Sequence, residues 1–292
     1  MRERKLAKKE KLGYYISSGF KNMITREPKF YTPALNVRGQ FGRLIMTVCG
    51  SAGRALLMLW EALLALRFMF SKRSFPFVMQ QMFITGIKSL GVITVVAMFT
   101  GMILALQTGL ELRKFGQEVN IGAAVMISML REMGPFMTAM ILSASVGSAM
   151  AAELGTMVVS EEIAALEVMS ISPVRFLVMP RLAAMMIMAP LLTFYTCMLG
   201  VVGGAIVGQT QLGVSLQAYL DNATRWAENK DLYVGLFKSF IFGIMITIIS
   251  CHQGFCTTEG AVGVGRATRQ SVIISFLSLL IVGYIITRMF YE

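Results

Sequence analysis

Charged residues are scarce in this sequence, at 15% of 292 positions against 55% hydrophobic ones. A water-soluble globule of that length needs more polar surface, so lipid is the solvent for most of the chain. Histidine is rarer still, with His252 alone. Without a clustered Asp/His or Ser/His set, a membrane-embedded enzyme has no evident catalytic machinery. The four cysteines, Cys49, Cys197, Cys251 and Cys256, are too few and too scattered for a disulfide framework. Cys251, His252 and Cys256 have ligand chemistry in acid-poor surroundings, and no zinc site is expected there. A Gly-xxxx-Gly-Lys-Ser/Thr phosphate loop is also missing. The glycine-rich Gly263 to Gly265 lacks the lysine, so any ATP chemistry belongs to another chain. No apolar run with a small-residue cleavage site closely follows the basic Arg2 to Lys11, and no cleaved secretory signal is expected.

What is present is a lopsided charge. The net +11 is concentrated in Met1–Lys88, which holds 16 of the 27 Lys and Arg and 4 of the 16 acids. The remaining two thirds of the chain is nearly neutral. A nucleic-acid partner is therefore not indicated; a basic, non-translocated N-terminal region is, and it predicts a cytoplasmic N-terminus.

A bilayer core about 30 Å thick needs about 20 apolar helical residues. Runs of that kind predict five spans, over about 89–110, 122–152, 182–208, 233–251 and 270–288. An odd number places the C-terminus outside. Connections Glu111–Asn120 and Gln209–Leu232 are then external, and Glu153–Arg181 and Cys251–Arg269 internal. The class is an all-α integral membrane protein. Its expected division is a basic extension over 1–40, an interfacial helix over 41–75 and a membrane domain over 76–292.

The interfacial helix is read from Arg43, Arg54 and Glu61, which share one helical face. Leu44, Leu56, Leu57, Leu59, Leu63, Leu64 and Leu66 occupy the others. Pro76 is expected to end it, with Phe77 to Lys88 leading into the first span. A sixth span is the alternative, at the cost of burying three charges. Small residues form ridges at four-residue spacing in two spans: Gly200, Gly204 and Gly208, and Ser145, Ala149 and Glu153 beside Ala144, Ser148 and Ala152. Such ridges allow close helix approach and predict a compact bundle.

The connection after the second span carries Glu153, Glu161, Glu162 and Glu167, where an anionic lipid surface would favour lysine. Ser160 reads as an N-cap, Glu161 and Glu162 as the acidic first turn, and Ile163, Leu166 and Met169 as an apolar stripe. Ser172 and Pro173 read as the start of another helix. A short acidic helix between two spans suits docking on a soluble partner; a solvated loop helix is the competing reading.

The residues that carry a resemblance come next. Arg131-Glu132-Met133-Gly134-Pro135, SVGSAMAAELGTM over Ser145–Met157, EEIAALEVM over Glu161–Met169, and Ser172-Pro173 through Val178-Met179-Pro180-Arg181 resemble the signature of the MlaE (Mce-associated, YrbE-type) permeases. Gly101–Gln107 (GMILALQ), Thr258-Glu259-Gly260 and Gly265-Arg266-Ala267-Thr268 agree, so the resemblance runs from about Ser89 to Thr287.

That resemblance implies a five-span permease of an ABC-type lipid transporter, working as a homodimer in the inner membrane with phospholipid or a related lipid as substrate. It further implies two cytoplasmic ATPase subunits that hold ATP and Mg, an external MCE-domain protein, and no cofactor in this chain. Glu161, Glu162, Ile163, Leu166, Glu167 and Met169 would couple to the ATPase. Arg131 and Glu132, about ten residues and so on the order of 15 Å into their helix, would line the lipid path with Leu104, Leu106 and Gln107. The competing reading of Arg131 and Glu132 is a structural ion pair; as neighbours about 100° apart on a helix, they should reach different partners. An ion-driven secondary transporter is disfavoured, because five spans do not divide into equal repeats.

Overall fold

A computed structural model of the chain describes residues 37–69 and 74–292. Most of the basic extension expected over 1–40 lies outside them. Among the described residues five helices are long and apolar enough to cross a membrane. The elements in chain order are α1 (Val37–Ala65), α2 (Phe75–Lys114), α3 (Glu118–Val159), α4 (Glu162–Val168), α5 (Val174–Gln211), α6 (Leu216–Trp226), α7 (Asn229–Phe255) and α8 (Gly260–Tyr291). The spans are α2, α3, α5, α7 and α8. A helix satisfies every internal backbone group within itself, which is the condition for standing in lipid.

Each span is longer than its apolar run predicts. The difference is largest for α2, because Pro76 starts this helix rather than ending the one before it. Proline has no N–H to lose in a first turn, so Phe77–Lys88 is continuous with the span. Successive spans alternate in direction. One end of the bundle gathers α1, α4 and the α7–α8 turn; the other gathers the α2–α3 turn, α6 and the C-terminus. They are the α1 end and the α6 end below.

Three clusters fill the interior. At mid-bundle Ile93, Leu142, Met185, Phe242, Ile246 and Leu279 pack together. Toward the α6 end lie Ala105, Ile121, Val125, Met129, Leu212 and Tyr219. At the α1 end Met58 and Ala62 of α1 pack on Leu154, Val178, Leu182 and Ile248. Glu61 of the polar stripe therefore faces protein. Glu61 accepts a hydrogen bond from Ser172 Oγ at 2.9 Å, while Leu56, Leu57, Trp60, Leu63 and Leu64 face outward. Turning Glu61 inward reverses the usual expectation for an amphipathic helix, because the group that satisfies this carboxylate belongs to α5's lead-in rather than to solvent.

α2 and α5 cross in close backbone contact. A methyl group on Gly101 would lie 1.8 Å from the Gly200 carbonyl oxygen, and one on Gly203 would lie 2.4 Å from that of Met98. Gly200, Gly204 and Gly208 of the four-residue ridge face Met129 and Tyr219. That ridge is thus used inside the chain. The other one stays uncovered along Ala144, Ser145 and Ala149.

The long connection before α7 holds a helix that the run of apolar residues does not announce. Ser215 Oγ accepts from Ala218 N–H at 3.3 Å and caps α6. Tyr219 and Ala223 are buried, with Tyr219 donating to the Val201 carbonyl at 3.3 Å. Burial pushes the phenol pKa up, since the charged form is the costlier one in an apolar site. Asn222 Oδ1 takes the Ala123 N–H at 3.0 Å and so closes the first turn of α3.

Candidate functional site

The ionisable residues expected inside α3 are the starting point. α3 changes winding at Met129–Met133, where the hydrogen bonds widen to a π-turn. The local cause is in the sequence: Pro135 has no N–H for the carbonyl four residues back, that of Arg131. The freed oxygen does not go unsatisfied, because Lys238 Nζ of α7 donates to it at 2.8 Å. Gly134 is required beside it, since a methyl group there would lie 2.6 Å from the Met129 carbonyl oxygen and 2.3 Å from Cys197 Sγ.

Arg131 and Glu132 reach different partners, as adjacent helical positions should. Arg131 grips Asp231 of α7 through Nε at 2.7 Å and Nη2 at 3.2 Å. Tyr291 of α8 donates to the same carboxylate at 2.6 Å and offers its ring to the guanidinium at 4.5 Å. Glu132 Oε1 accepts from Lys238 at 2.7 Å and from Thr287 at 2.6 Å. The two pairs share a design: Asp231 is 0% and Lys238 1% exposed, while Arg131 and Glu132 keep 36% and 44% of their side chains open. A buried charge is tolerable only when fully hydrogen-bonded, and each of these is. The result is one cation and one carboxylate, held rigid from behind and presented side by side.

The cluster's place along the bundle follows from its partners on α7 and α8. Asp231 is in the first turn of α7 and Tyr291 ends α8, so the cluster belongs to the α6 end of the bundle. The 42 residues of α3 exceed what a core of about 30 Å needs, and its first turns pack against α6.

The family profile described as Permease MlaE matches residues 78–289. This chain belongs to the MlaE permease family. A probable ABC transporter permease protein of Rickettsia prowazekii is 38% identical to it over 74% of this chain and 83% of the relative. The Haemophilus influenzae protein named intermembrane phospholipid transport system permease protein MlaE is 31% identical over 88% of this chain and 98% of its own length. The chloroplastic protein trigalactosyldiacylglycerol 1 of Arabidopsis thaliana is 34% identical, over 73% of this chain and 61% of that one.

Within this MlaE permease the other expected site residues divide. Leu104 packs against the cluster of Val125 and Met129, one turn before Arg131, whereas Leu106 and Gln107 face outward from α2. Asp231, Lys238, Thr287 and Tyr291 complete the charge cluster and were not singled out from the sequence. The signal was there for Lys238, a lone cation inside an apolar run, and for Asp231, an acid at a span's edge. Their partnership across about a hundred residues was not.

At the α1 end, Ser160 does not cap α4. It closes α3, and Glu161 adopts a left-handed conformation (φ 59°) that separates the two helices. The Ser160 hydroxyl instead donates within its own neighbourhood, to Thr156 O and Glu162 Oε1. The start signal at Ser172 holds in substance: its hydroxyl accepts from Arg175 N–H at 3.4 Å. In α4, Ile163 and Leu166 are half-buried, Glu161 and Glu162 are exposed, and Met169 points outward beside Val168, which is 84% exposed. The stripe is therefore split. Ile163 and Leu166 anchor the segment, and Val168 with Met169 forms its outward apolar tip.

Below that segment, Arg181 of α5, nearly buried, donates to Glu153 of α3 at 2.8 Å. This ties the two spans that flank α4 at the point where they leave the bundle.

Proposed function

We propose that this chain is the membrane-spanning permease of an ABC-type transporter that moves phospholipid, or a related lipid, between the inner membrane and the outer envelope. The carrying observation is the likeness, over 88% of this chain, to the H. influenzae intermembrane phospholipid transport permease. Two copies form the working unit, and the uncovered small-residue face of Ala144, Ser145 and Ala149 suits a helix contact between them. Two ATPase subunits hold the ATP and Mg. An MCE-domain protein receives or delivers lipid at the opposite side.

In this reading the basic N-terminal region lies in the cytoplasm, so the α1 end faces the ATPase and the α6 end faces the periplasm. Arg131 and Glu132 then sit toward the periplasmic end of the lipid path, where the arginine suits a lipid phosphate and the surrounding Leu and Met suit its acyl chains. A reporter active only outside the cytoplasm is expected to work when fused after Glu292 and to be silent near Val264. The opposite pair of results reverses the orientation.

The decisive experiment purifies the protein from native membrane and identifies the chains and lipids that accompany it. An ATPase, an MCE-domain protein and bound phospholipid are expected; a protein that purifies without them is not such a permease. The same preparation tests the coupling segment. Charge reversal at Glu161→Lys and Glu162→Lys, both on the exposed face, is expected to remove the ATPase from the complex while the permease still inserts. Wild-type ATPase content and ATP hydrolysis in the double variant would make α4 a solvated loop helix.

A further inference from the structure

At the α1 end, α7 carries His252 in its last turn and Cys256 just beyond it. His252 Nε2 is 3.0 Å from the main-chain oxygen of Ser51 in α1, and His252 Nδ1 is 3.1 Å from Cys256 Sγ. A main-chain carbonyl only accepts, so Nε2 carries the ring hydrogen. In the neutral ring Nδ1 is then an acceptor, and the hydrogen between it and sulfur comes from the thiol. The Cys256 S–H is thus aimed at a base that a third group already orients, which is the arrangement that turns a thiol into a nucleophile.

Cys256 is exposed and lines a polar cleft with Gln253, Thr258, Arg266 and Gln270. Charged groups on either side of the pair include Arg266 and Glu259, which meet at 3.1 Å on the α8 side, and Arg54 of α1, bonded to Ser51 Oγ at 3.2 Å.

We propose that Cys256 is a modification site that takes small disulfides such as glutathione disulfide, with His252 as its base. The Cys256 thiolate attacks one sulfur of the reagent. A new S–S bond forms as the reagent's own S–S bond breaks, and the departing thiolate takes up the proton held by His252. Cys256 is oxidised and half of the reagent reduced, so the step needs no other oxidant. The adduct lies at the end of the bundle that the proposed function gives to the ATPase, although its formation does not depend on that reading.

The test uses the full-length protein in its native complex and follows the Cys256 and Cys49 peptides by mass spectrometry. Both thiols are exposed, so Cys49 is an internal reference. With iodoacetamide near pH 6.5, Cys256 should react roughly tenfold faster than Cys49 and reach its plateau at lower pH. With glutathione disulfide, the mixed disulfide should form first on Cys256. His252→Gln keeps an N–H for Ser51 but supplies no base, and should bring Cys256 down to the Cys49 rate. Equal rates and pH profiles for the two cysteines in the unaltered protein would overturn the proposal. So would glutathione adducts on Cys49 alone, or an unchanged Cys256 rate in the glutamine variant.

Discussion

Lys238→Met is expected to destabilise the permease by about 3–5 kcal/mol, read as a lower unfolding midpoint and less protein in the membrane. Lys238 is 1% exposed and spends its ammonium on Glu132, Thr287 and the freed carbonyl of Arg131. Methionine fills similar space but leaves the carboxylate unpaired and the carbonyl orphaned in an apolar wall. Half of the Glu132 side chain can re-solvate, which places the loss toward the lower end of that range. Adding Glu132→Gln removes the unpaired charge and should recover much of the stability. The double variant should still copurify with less phospholipid than the unaltered protein, because Glu132 no longer presents a carboxylate beside Arg131. A Lys238→Met protein as stable as the original would mean that the cluster contributes nothing to the fold. Full lipid content in the double variant would make the cluster structural only.

Gly101→Ala should separate α2 from α5 and cost at least the about 1–3 kcal/mol typical of overpacking. The added carbon meets the Gly200 carbonyl oxygen at 1.8 Å, and that neighbour is backbone, which cannot swing aside as a side chain would. Gly91→Ala on the same helix is the matched control, since nothing lies within 4 Å of its added carbon. The first substitution should depress the unfolding midpoint and the second should leave it unchanged or slightly raised, as alanine favours a helix over glycine. Equal midpoints for the two variants would remove the close crossing as a determinant of the fold.

Much of the architecture was legible because lipid imposes a simple rule: an apolar run of sufficient length, with few or no charges, must be a helix that crosses. The five runs correspond to α2, α3, α5, α7 and α8. Their ends were less legible. Pro76, read as a stop, is a start, since proline is tolerated in the first turn as readily as it breaks the interior. Ser160, read as a cap, closes the helix before it, because the left-handed turn at Glu161 is a backbone event that a glutamate does not advertise. α6 went unread although its signals were complete: Ser215 as cap, then Tyr219 and Ala223 at helical spacing on one face.

Half of the candidate site was visible in the same way. Arg131 and Glu132 stand out because a charge inside an apolar run must have a reason to be there. That reasoning also holds for Lys238, but it cannot say which charge meets which. The pairing follows from the relative rotation of α3, α7 and α8 and from the π-turn that Pro135 opens.

The sequence by itself determined the solvent, the number of crossings, the absence of an ATP-binding loop and the residues through which the family is recognised. These depend on composition and local pattern, which a chain carries before it folds. Only the tertiary structure decided that Arg131 answers to Asp231 and Glu132 to Lys238, that the cluster belongs to the α6 end, and that Glu61 of α1 is turned toward protein. Each of those depends on distances between helices far apart in the chain, and such distances are set by how glycine, methionine and tyrosine side chains let the backbones approach.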